Sequence, residues 1–325
     1  MMTVDLSLWR WALLLMVGGS ILIGGRGAYA QPAPGPAAQP QPGIDVQDYD
    51  FALTLSDTTD RIEGTATVHV RIDADTLTAV RLDLIGRAPG GETGMRVRSV
   101  SEAGRAVSYR HADDLLRIRP PDLAAGQTRT LRIEYAGVPD DGLIIGTNRH
   151  GDRTFFGDNW PNRARHWLPV VDHLSDKATV EFRVTAPARY DVVSNGARVR
   201  DSTSGGTRHT HWRTDVPLPP KVMVIGVADF AVDTAGTVDG VPVQSWVYPE
   251  DRGAGLKDLG QAPPILRFFE ANLGPYPYAK LANVQSTTRY GGMENAAAIF
   301  YSETAVADGE DDTSLLAHEI AHQWY

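Results

Sequence analysis

The amino-acid sequence predicts a mainly β domain, of the saddle or sandwich type, followed by the start of an α/β domain. In residues 62–72 every even position is small or apolar and every odd interior position is polar. This is the period of a half-buried strand. The same alternation occurs at residues 131–135 and 180–184. Turn-forming pairs such as Asn195-Gly196 separate the runs, which favours many antiparallel strands.

We divide the folded part into an antiparallel β domain at residues 44–235 and the N-terminal part of an α/β domain at residues 236–325. In the second part, the proline pair at 263–264 predicts the start of a helix, and Gly274 predicts its end. The strands predicted after that helix cover residues 281–286 and 297–301.

Composition excludes several classes of protein. The chain has 325 residues, of which 42% are hydrophobic, so two domains of about 150 residues each are expected. The net charge of −9 and the sparse lysines and arginines argue against a nucleic-acid partner, which requires a basic face. Cysteine is absent, so a bound metal must be held by His, Asp or Glu.

The N-terminal residues predict export. An apolar stretch at residues 11–25 is followed by the small-x-small triplet Ala-Tyr-Ala at 28–30, the pattern of a secretory signal peptide. We assign residues 1–30 to the signal peptide and residues 31–43 to a proline-rich linker. The alternative is an uncleaved anchor, but the stretch is short for a span of about 20 residues. We therefore expect a periplasmic or extracellular protein without a stable membrane span after cleavage.

The last predicted helix carries two histidines four residues apart, His318 and His322. Residues 311–313 (Asp-Asp-Thr) predict its N-cap. At helical spacing the two imidazoles project from one face and can share one tetrahedral zinc ion. Glu319 lies beside the first histidine and can take a proton from a zinc-bound water. The alternative is a solvated helix face that bears two histidines without binding a metal.

A second motif precedes this helix. Paired glycines allow a backbone to approach a ligand closely, and a nearby carboxylate can hold a free α-amine. By itself such a motif is more often a turn, but its glutamate lies 24 residues before His318. The residues of the motif are Gly291, Gly292, Met293, Glu294 and Asn295.

On these two motifs the chain resembles the aminopeptidase N family of zinc metallopeptidases, the gluzincin aminopeptidases, which also contains leukotriene hydrolase. That family's exopeptidase motif reads Gly-(Ala or Gly)-Met-Glu-Asn and precedes a His-Glu-x-x-His helix at about this spacing. The likeness covers residues 44–325. Further matching segments in the β domain are residues 162–169, Asp172, residues 176–178 and residues 194–196.

The resemblance implies a thermolysin-like zinc peptidase domain after the β domain, with one zinc ion and peptide substrates that have a free N-terminus. It implies that His318 and His322 ligate the zinc and that Glu319 is the general base. It also implies that Glu294 binds the substrate's α-amine and so restricts cleavage to N-terminal residues. The residues implied to bind substrate beside Glu294 are Gly291, Gly292, Met293 and Asn295.

The sequence departs from the family pattern in several places. The family's third zinc ligand, a Glu, and its transition-state Tyr would both lie beyond Tyr325. The chain also ends inside an amphipathic pattern without a cap. We therefore expect a C-terminally truncated chain that is inactive as given, and an active full gene product. Where the family often has a Gln or Glu that assists amine binding, Asp158 is the only acidic candidate.

The leading hypothesis is an exported zinc aminopeptidase. A second hypothesis is a non-catalytic, β-rich binding module with a vestigial metal site, which predicts no retained zinc and no activity. A third is an endopeptidase of the thermolysin type, against which Glu294 argues because a carboxylate there selects a free amine.

Overall fold

The computed structural model describes residues 40–325. Within them the first part of the chain forms strands β1 (Ile44–Thr54), β2 (Ile62–Ile72), β3 (Val80–Asp83), β4 (Gly94–Glu102), β5 (Arg105–Ala106), β6 (Ser108–Ala112), β7 (Leu115–Arg119), β8 (Thr128–Val138), β9 (Leu143–Thr147), β10 (Arg153–Gly157), β11 (Ala178–Pro187), β12 (Asp191–Ser194), β13 (Ala197–Ser204), β14 (Thr207–Leu218) and β15 (Ile225–Ala228). The later elements are β16 (Ala231–Val238), β17 (Val241–Val247), α1 (Arg252–Leu259), α2 (Ala262–Leu273), β18 (Leu281–Ser286), β19 (Gly292–Met293), β20 (Ala298–Ser302) and α3 (Thr313–Ala321). The prediction of a mainly β part followed by an α/β part is confirmed.

An eight-stranded sheet, in the order β13-β14-β11-β1-β2-β8-β4-β5, forms most of the first part. Strand β2 confirms the alternation predicted for residues 62–72. Its even residues, such as Val68 and Val70, are buried, whereas Glu63 and Arg71 are exposed. One face of this strand therefore packs on the core and the other meets solvent, as the period of two requires.

One strand pair departs from the predicted antiparallel arrangement. Strands β1 and β11 run parallel, with Phe51 opposite Phe182. Parallel neighbours need a long crossover, and here the chain leaves the sheet after β8 and forms β9 and β10 of another sheet before it returns as β11. The alternation of side chains could not reveal this, because strands of either direction expose alternate residues.

Two smaller sheets have the orders β3-β7-β6 and β12-β15-β10-β9. Every residue of β15 is buried, whereas the edge strand β9 is only half-buried after Leu143 and ends at the exposed Thr147. The pair Asn195-Gly196 lies between β12 and β13, which belong to different sheets. Gly196 has a φ of 73°, and a Cβ there would overlap the carbonyl of Arg213. This predicted turn is thus a tight crossing between sheets rather than a hairpin.

The second part is built on a five-stranded sheet in the order β16-β17-β18-β20-β19. Strand β18 pairs parallel with both β17 and β20. Helix α2 confirms the helix predicted from the proline pair, and it ends at Gly274 with a φ of 103°. Helix α1 was not predicted, because Gly253 and Gly255 lower helix propensity. The predicted strands are confirmed, although β20 begins one residue later than expected.

Aromatic side chains form a core that continues from the first part into the second. The Phe156 ring of β10 meets the Phe300 ring of β20 edge to face, with centroids 5.4 Å apart. Phe230 packs in the same way on Trp246 of β17, at 5.7 Å. This packing fixes the strands that carry the candidate site against the β-rich part.

The predicted signal peptide at residues 1–30 and most of the linker lie outside the described residues. At the end of the linker, the side-chain oxygen of Gln41 accepts a hydrogen bond from Arg81 N at 2.7 Å. None of the helices in residues 40–325 has the length and apolar character that crossing a membrane requires. The division at residue 235 stays a prediction, and β16 begins at Ala231.

Candidate functional site

Helix α3 presents the two predicted zinc ligands side by side. The Nε2 atoms of His318 and His322 are 3.2 Å apart. Two nitrogen ligands of a tetrahedral zinc, each at 2.0–2.1 Å from the metal, lie about 3.3 Å from one another. The opposite side of the helix buries Leu316 and Ile320 in a separate hydrophobic cluster, which also contains Leu266 of α2 and Ile299 of β20. Apolar burial thus orients α3 so that the imidazoles face outward, and their spacing fits one zinc ion.

The start of α3 differs from the prediction in one detail. Asp312 occupies the N-cap position, but its side chain makes no capping hydrogen bond. Instead, Asp311 Oδ1 accepts a hydrogen bond from Thr313 N at 3.0 Å, which is an Asx turn. The helix start is therefore stabilised by Asp311 rather than by the side chain of Asp312.

Glu319 is buried against the glycine motif. Only 5% of the residue is exposed, and a Cβ on Gly292 would overlap its carboxylate group. Burial, with a smaller contribution from the negative charge of Glu294, raises the pKa of Glu319 to about 7. A carboxyl group with such a pKa can both accept and release a proton near neutral pH. Gly292 is the residue that makes room for it.

The glycine motif forms the edge strand β19, which pairs with β20 through Gly292 opposite Tyr301 and Met293 opposite Phe300. Met293 is buried in the core, so its side chain is a packing group in this structure. The side-chain amide of the fully buried Asn295 has no hydrogen-bond partner among residues 40–325.

A glutamine at the end of α3 joins the helix to the motif. Gln323 Oε1 accepts a hydrogen bond from Ala297 N at 2.9 Å, and Gln323 Nε2 donates to Glu294 O at 3.4 Å. The histidines and Glu294 are thereby held in one site, although Glu294 lies 24 residues before His318. Sequence reasoning missed Gln323, whose only signal is its position directly after His322.

The side chain of Glu294 is already paired. Lys221 Nζ donates to Glu294 Oε1 at 2.6 Å, and both side chains are 22% exposed. Burial raises the pKa of Glu294, but the hydrogen bond and charge of Lys221 outweigh burial and hold this pKa below its usual value. Lys221 was also missed, because nothing in the sequence connects it with a residue 73 positions away.

Asp158, the acidic candidate for assisting amine binding, forms an ion pair with an arginine. Its carboxylate lies 3.0 Å from Arg163 Nη2, and Arg163 also contacts Asp141 at 3.1 Å. Burial raises the pKa of Asp158, against the opposing charge of Arg163. Asp158 Oδ2 is buried without a hydrogen-bond partner in the part of the chain that the structure describes. Its proposed contact with a substrate amine stays a prediction.

Among residues 40–325, no group of three potential ligands within reach of one metal ion includes His318 and His322. The one such group in these residues consists of Asp258, Asp308 and Asp312. The described residues therefore supply two ligands for a zinc ion and a carboxylate beside them, but no converging third ligand.

This chain is similar to several known peptidases. The family described as "Peptidase M1 N-terminal domain" matches residues 46–220. The chain is 25% identical over 264 residues to endoplasmic reticulum aminopeptidase 2 of Bos taurus, a match that covers 75% of this chain and 28% of the relative. It is 26% identical over 300 residues to endoplasmic reticulum aminopeptidase 1 of Homo sapiens, covering 85% of this chain and 32% of the relative.

The chain thus spans about a third of the length of these curated relatives. Among solved structures, an M1 zinc metallopeptidase from Deinococcus radiodurans is similar with a TM-score of 0.73 and 26% identity. The match covers 88% of this chain and 65% of that one. A mutant of the Deinococcus enzyme bound to a Tyr-Ser-Ala substrate is similar with a TM-score of 0.73 and 25% identity, at the same coverage. The matched family covers more than half of the sequence, and this chain therefore belongs to the M1 peptidases.

Proposed function

We propose that this chain belongs to an exported zinc aminopeptidase that removes N-terminal residues from peptides. The observation that carries the proposal is the pair of Nε2 atoms 3.2 Å apart on His318 and His322, beside the buried Glu319. The names of the curated relatives and the tripeptide bound to the Deinococcus enzyme support the same substrate class.

In this proposal His318 and His322 hold the zinc ion. When bound, zinc polarises the substrate carbonyl and lowers the pKa of water. Glu319 accepts a proton from the attacking water and donates it to the leaving amine, a double role that its raised pKa allows. Packing against Gly292 limits the orientations open to the Glu319 carboxylate, so the proton acceptor is in place before substrate binds.

Glu294 accounts for the restriction to N-terminal residues. A carboxylate near the histidines pairs with a free α-ammonium, whereas an acetylated N-terminus offers no positive charge. The pairing requires good geometry, because desolvation of both charges opposes it. Residues 291–292 then lie along the peptide backbone, where the absence of side chains permits close approach.

The 325-residue chain alone should bind zinc weakly. Two imidazoles converge, but a third ligand does not join them within residues 40–325, and catalytic zinc sites use three protein ligands. We accordingly propose that the full-length gene product is the active species and that the 325-residue chain by itself is inactive.

The test compares hydrolysis of leucine p-nitroanilide and its N-acetylated form by the zinc-loaded full-length product. We expect cleavage of the free amine only, and a loss of about 100-fold or more for Glu319→Gln. Equal cleavage of both compounds would establish an endopeptidase-like site instead. Absence of both zinc retention and activity in the folded full-length protein would favour the non-catalytic binding module.

A further inference from the structure

The candidate amine site contains an amine of the protein's own. Lys221 lies in a short 3-10 turn, Pro220–Val222, between strands β14 and β15. Its ammonium group contacts Glu294 Oε1 at 2.6 Å. Within residues 40–325, no other lysine or arginine nitrogen lies within ion-pair distance of that carboxylate. The substrate's α-ammonium would therefore meet a carboxylate that already has a cation.

Two buried asparagines fix the backbone that carries Lys221. Asn159 Nδ2 donates to Pro220 O at 3.0 Å and to Met223 O at 2.6 Å, on either side of Lys221 in the chain. Asn159 Oδ1 accepts from Trp167 Nε1 at 2.9 Å, which fixes the orientation of the amide. Asn159 is fully buried, so these bonds are shielded from water.

The second asparagine connects the turn directly to the motif. Asn195 Nδ2 donates to Val222 O and to Ala296 O, both at 2.8 Å. Asn195 Oδ1 accepts from Val224 N at 2.8 Å. One buried amide thus bridges the Lys221 turn and the residues that follow Glu294. The ion pair is consequently built by the fold and is not a chance meeting of two surface side chains.

The lysine side chain itself can still move. Its ammonium is a compact charge on a flexible four-carbon stem, and 22% of the side chain is exposed. Since part of the ion pair is open to water, the ammonium has a direct path into solvent. Release of Lys221 into solvent therefore needs only a rotation of its side chain, with the backbone held by the two asparagines.

We propose that Lys221 is a specificity-determining residue that occupies Glu294 in the free protein and exchanges with the α-ammonium of the substrate. The inference rests on the proposed function of Glu294. In the free protein Lys221 keeps the carboxylate paired, which avoids the cost of an unpaired, partly buried charge. A ligand with a free amine replaces one ammonium by another, whereas a ligand without an amine has nothing to exchange.

The proposal predicts that removal of the competing ammonium strengthens binding of amines. The test measures the dissociation constants of L-leucinamide and N-acetyl-L-leucinamide by calorimetry at about pH 6.5, where carboxylates are ionised and α-amines are protonated. The full-length protein and all its variants carry Glu319→Gln, so that the ligand is not hydrolysed during the titration. Lys221→Met should bind leucinamide about three- to tenfold more tightly than wild type, with unchanged affinity for the acetylated form. Lys257→Met, a change of an exposed lysine on α1, should bind both like wild type.

Two further variants complete the design. Lys221→Arg keeps the competing charge and should not tighten leucinamide binding. Lys221→Gln is a second neutral variant, and it decides the matter if the methionine variant does not fold.

Unchanged or weaker leucinamide binding by the neutral variants would overturn the proposal, because Lys221 would then be a permanent structural partner of Glu294. Glu294→Gln separates this failure from failure of the proposed function. Loss of the preference for the free amine in Glu294→Gln, with no effect of the Lys221 changes, defeats only the exchange. Retention of that preference in Glu294→Gln defeats the amine site itself.

Discussion

Helix α3 and the 3-10 turn at Pro220–Val222 both contribute charged or metal-binding side chains to the site, but they position them differently. The helix sets His318 and His322 by its own periodicity, so that their relation is visible within five consecutive residues. The turn sets Lys221 through hydrogen bonds from two asparagines that are distant in sequence. The first kind of placement can be predicted from spacing, whereas the second exists only once the sheets have packed.

The largest expected effect concerns the helix. Either His318→Ala or His322→Ala in the full-length protein should weaken zinc binding by about a thousandfold, because each removes one nitrogen ligand. Zinc content after dialysis measures this, with His209→Ala, a change of an exposed residue on strand β14, as the control. Zinc retained by both α3 variants would show that the metal site lies elsewhere.

The next effect concerns the turn. Asn195→Ala removes three buried hydrogen bonds and leaves two carbonyls and one N–H without partners. We expect the free energy of unfolding to fall by about 3–5 kcal/mol. Urea denaturation measures the change. Asn272→Ala, which removes an exposed helical side chain bonded only to Phe268 O, should cost less than about 1 kcal/mol. A similar small cost for Asn195→Ala would mean that the turn is held by other contacts.

A buried lysine next to the same asparagine gives a pH-dependent effect. Lys280 Nζ donates to Ser194 O and Ala297 O, and burial lowers its pKa to about 7. An unfolded lysine has a pKa of about 10.4. Between these values the unfolded chain binds one more proton at Lys280 than the folded chain does. The contribution of Lys280 to the free energy of unfolding therefore rises with pH across this window and does not change with pH below it.

The measurement compares wild type with Lys280→Met at about pH 7.5 and about pH 9.5. Wild type should gain up to about 2.7 kcal/mol of unfolding free energy relative to the variant between the two conditions. Lys257→Met serves as the exposed control and should not alter the slope. An unaltered slope in Lys280→Met as well would show that Lys280 stays protonated in the folded protein.

The smallest effect separates the two glycines of the motif. A Cβ at position 292 would overlap the Glu319 carboxylate, whereas at position 291 the nearest atom is Leu315 Cδ1 at 3.9 Å. The Glu319 side chain can rotate away, so Gly292→Ala should cost less than about 1 kcal/mol of stability and lower kcat severalfold. Gly291→Ala leaves the Glu319 carboxylate in place, so it should raise KM through the passing peptide backbone rather than lower kcat. Equal effects at both positions would exclude the packing role of Gly292.

Much of the architecture could be predicted because it depends on local patterns. The alternation in residues 62–72 and 180–184 follows directly from burial of one sheet face. The end of α2 follows from a glycine that adopts a positive φ at position 274. The parallel pairing of β1 with β11 could not be predicted, since the alternating pattern is the same for both strand directions.

In the candidate site, too, local motifs could be predicted from the sequence and tertiary contacts could not. The residues of α3 and of the glycine motif were identified because each group is contiguous in sequence. Lys221 and Gln323 were not, because their roles depend on contacts that tertiary packing creates. Asp158 was chosen for its charge alone, and the structure pairs it with Arg163.

The most direct test is an anomalous difference map, recorded at the zinc absorption edge, from crystals of the zinc-loaded full-length protein. We expect one peak at about 2.1 Å from Nε2 of both His318 and His322. A peak only at the acidic group of Asp258, Asp308 and Asp312, or no peak beside the two histidines, would contradict it.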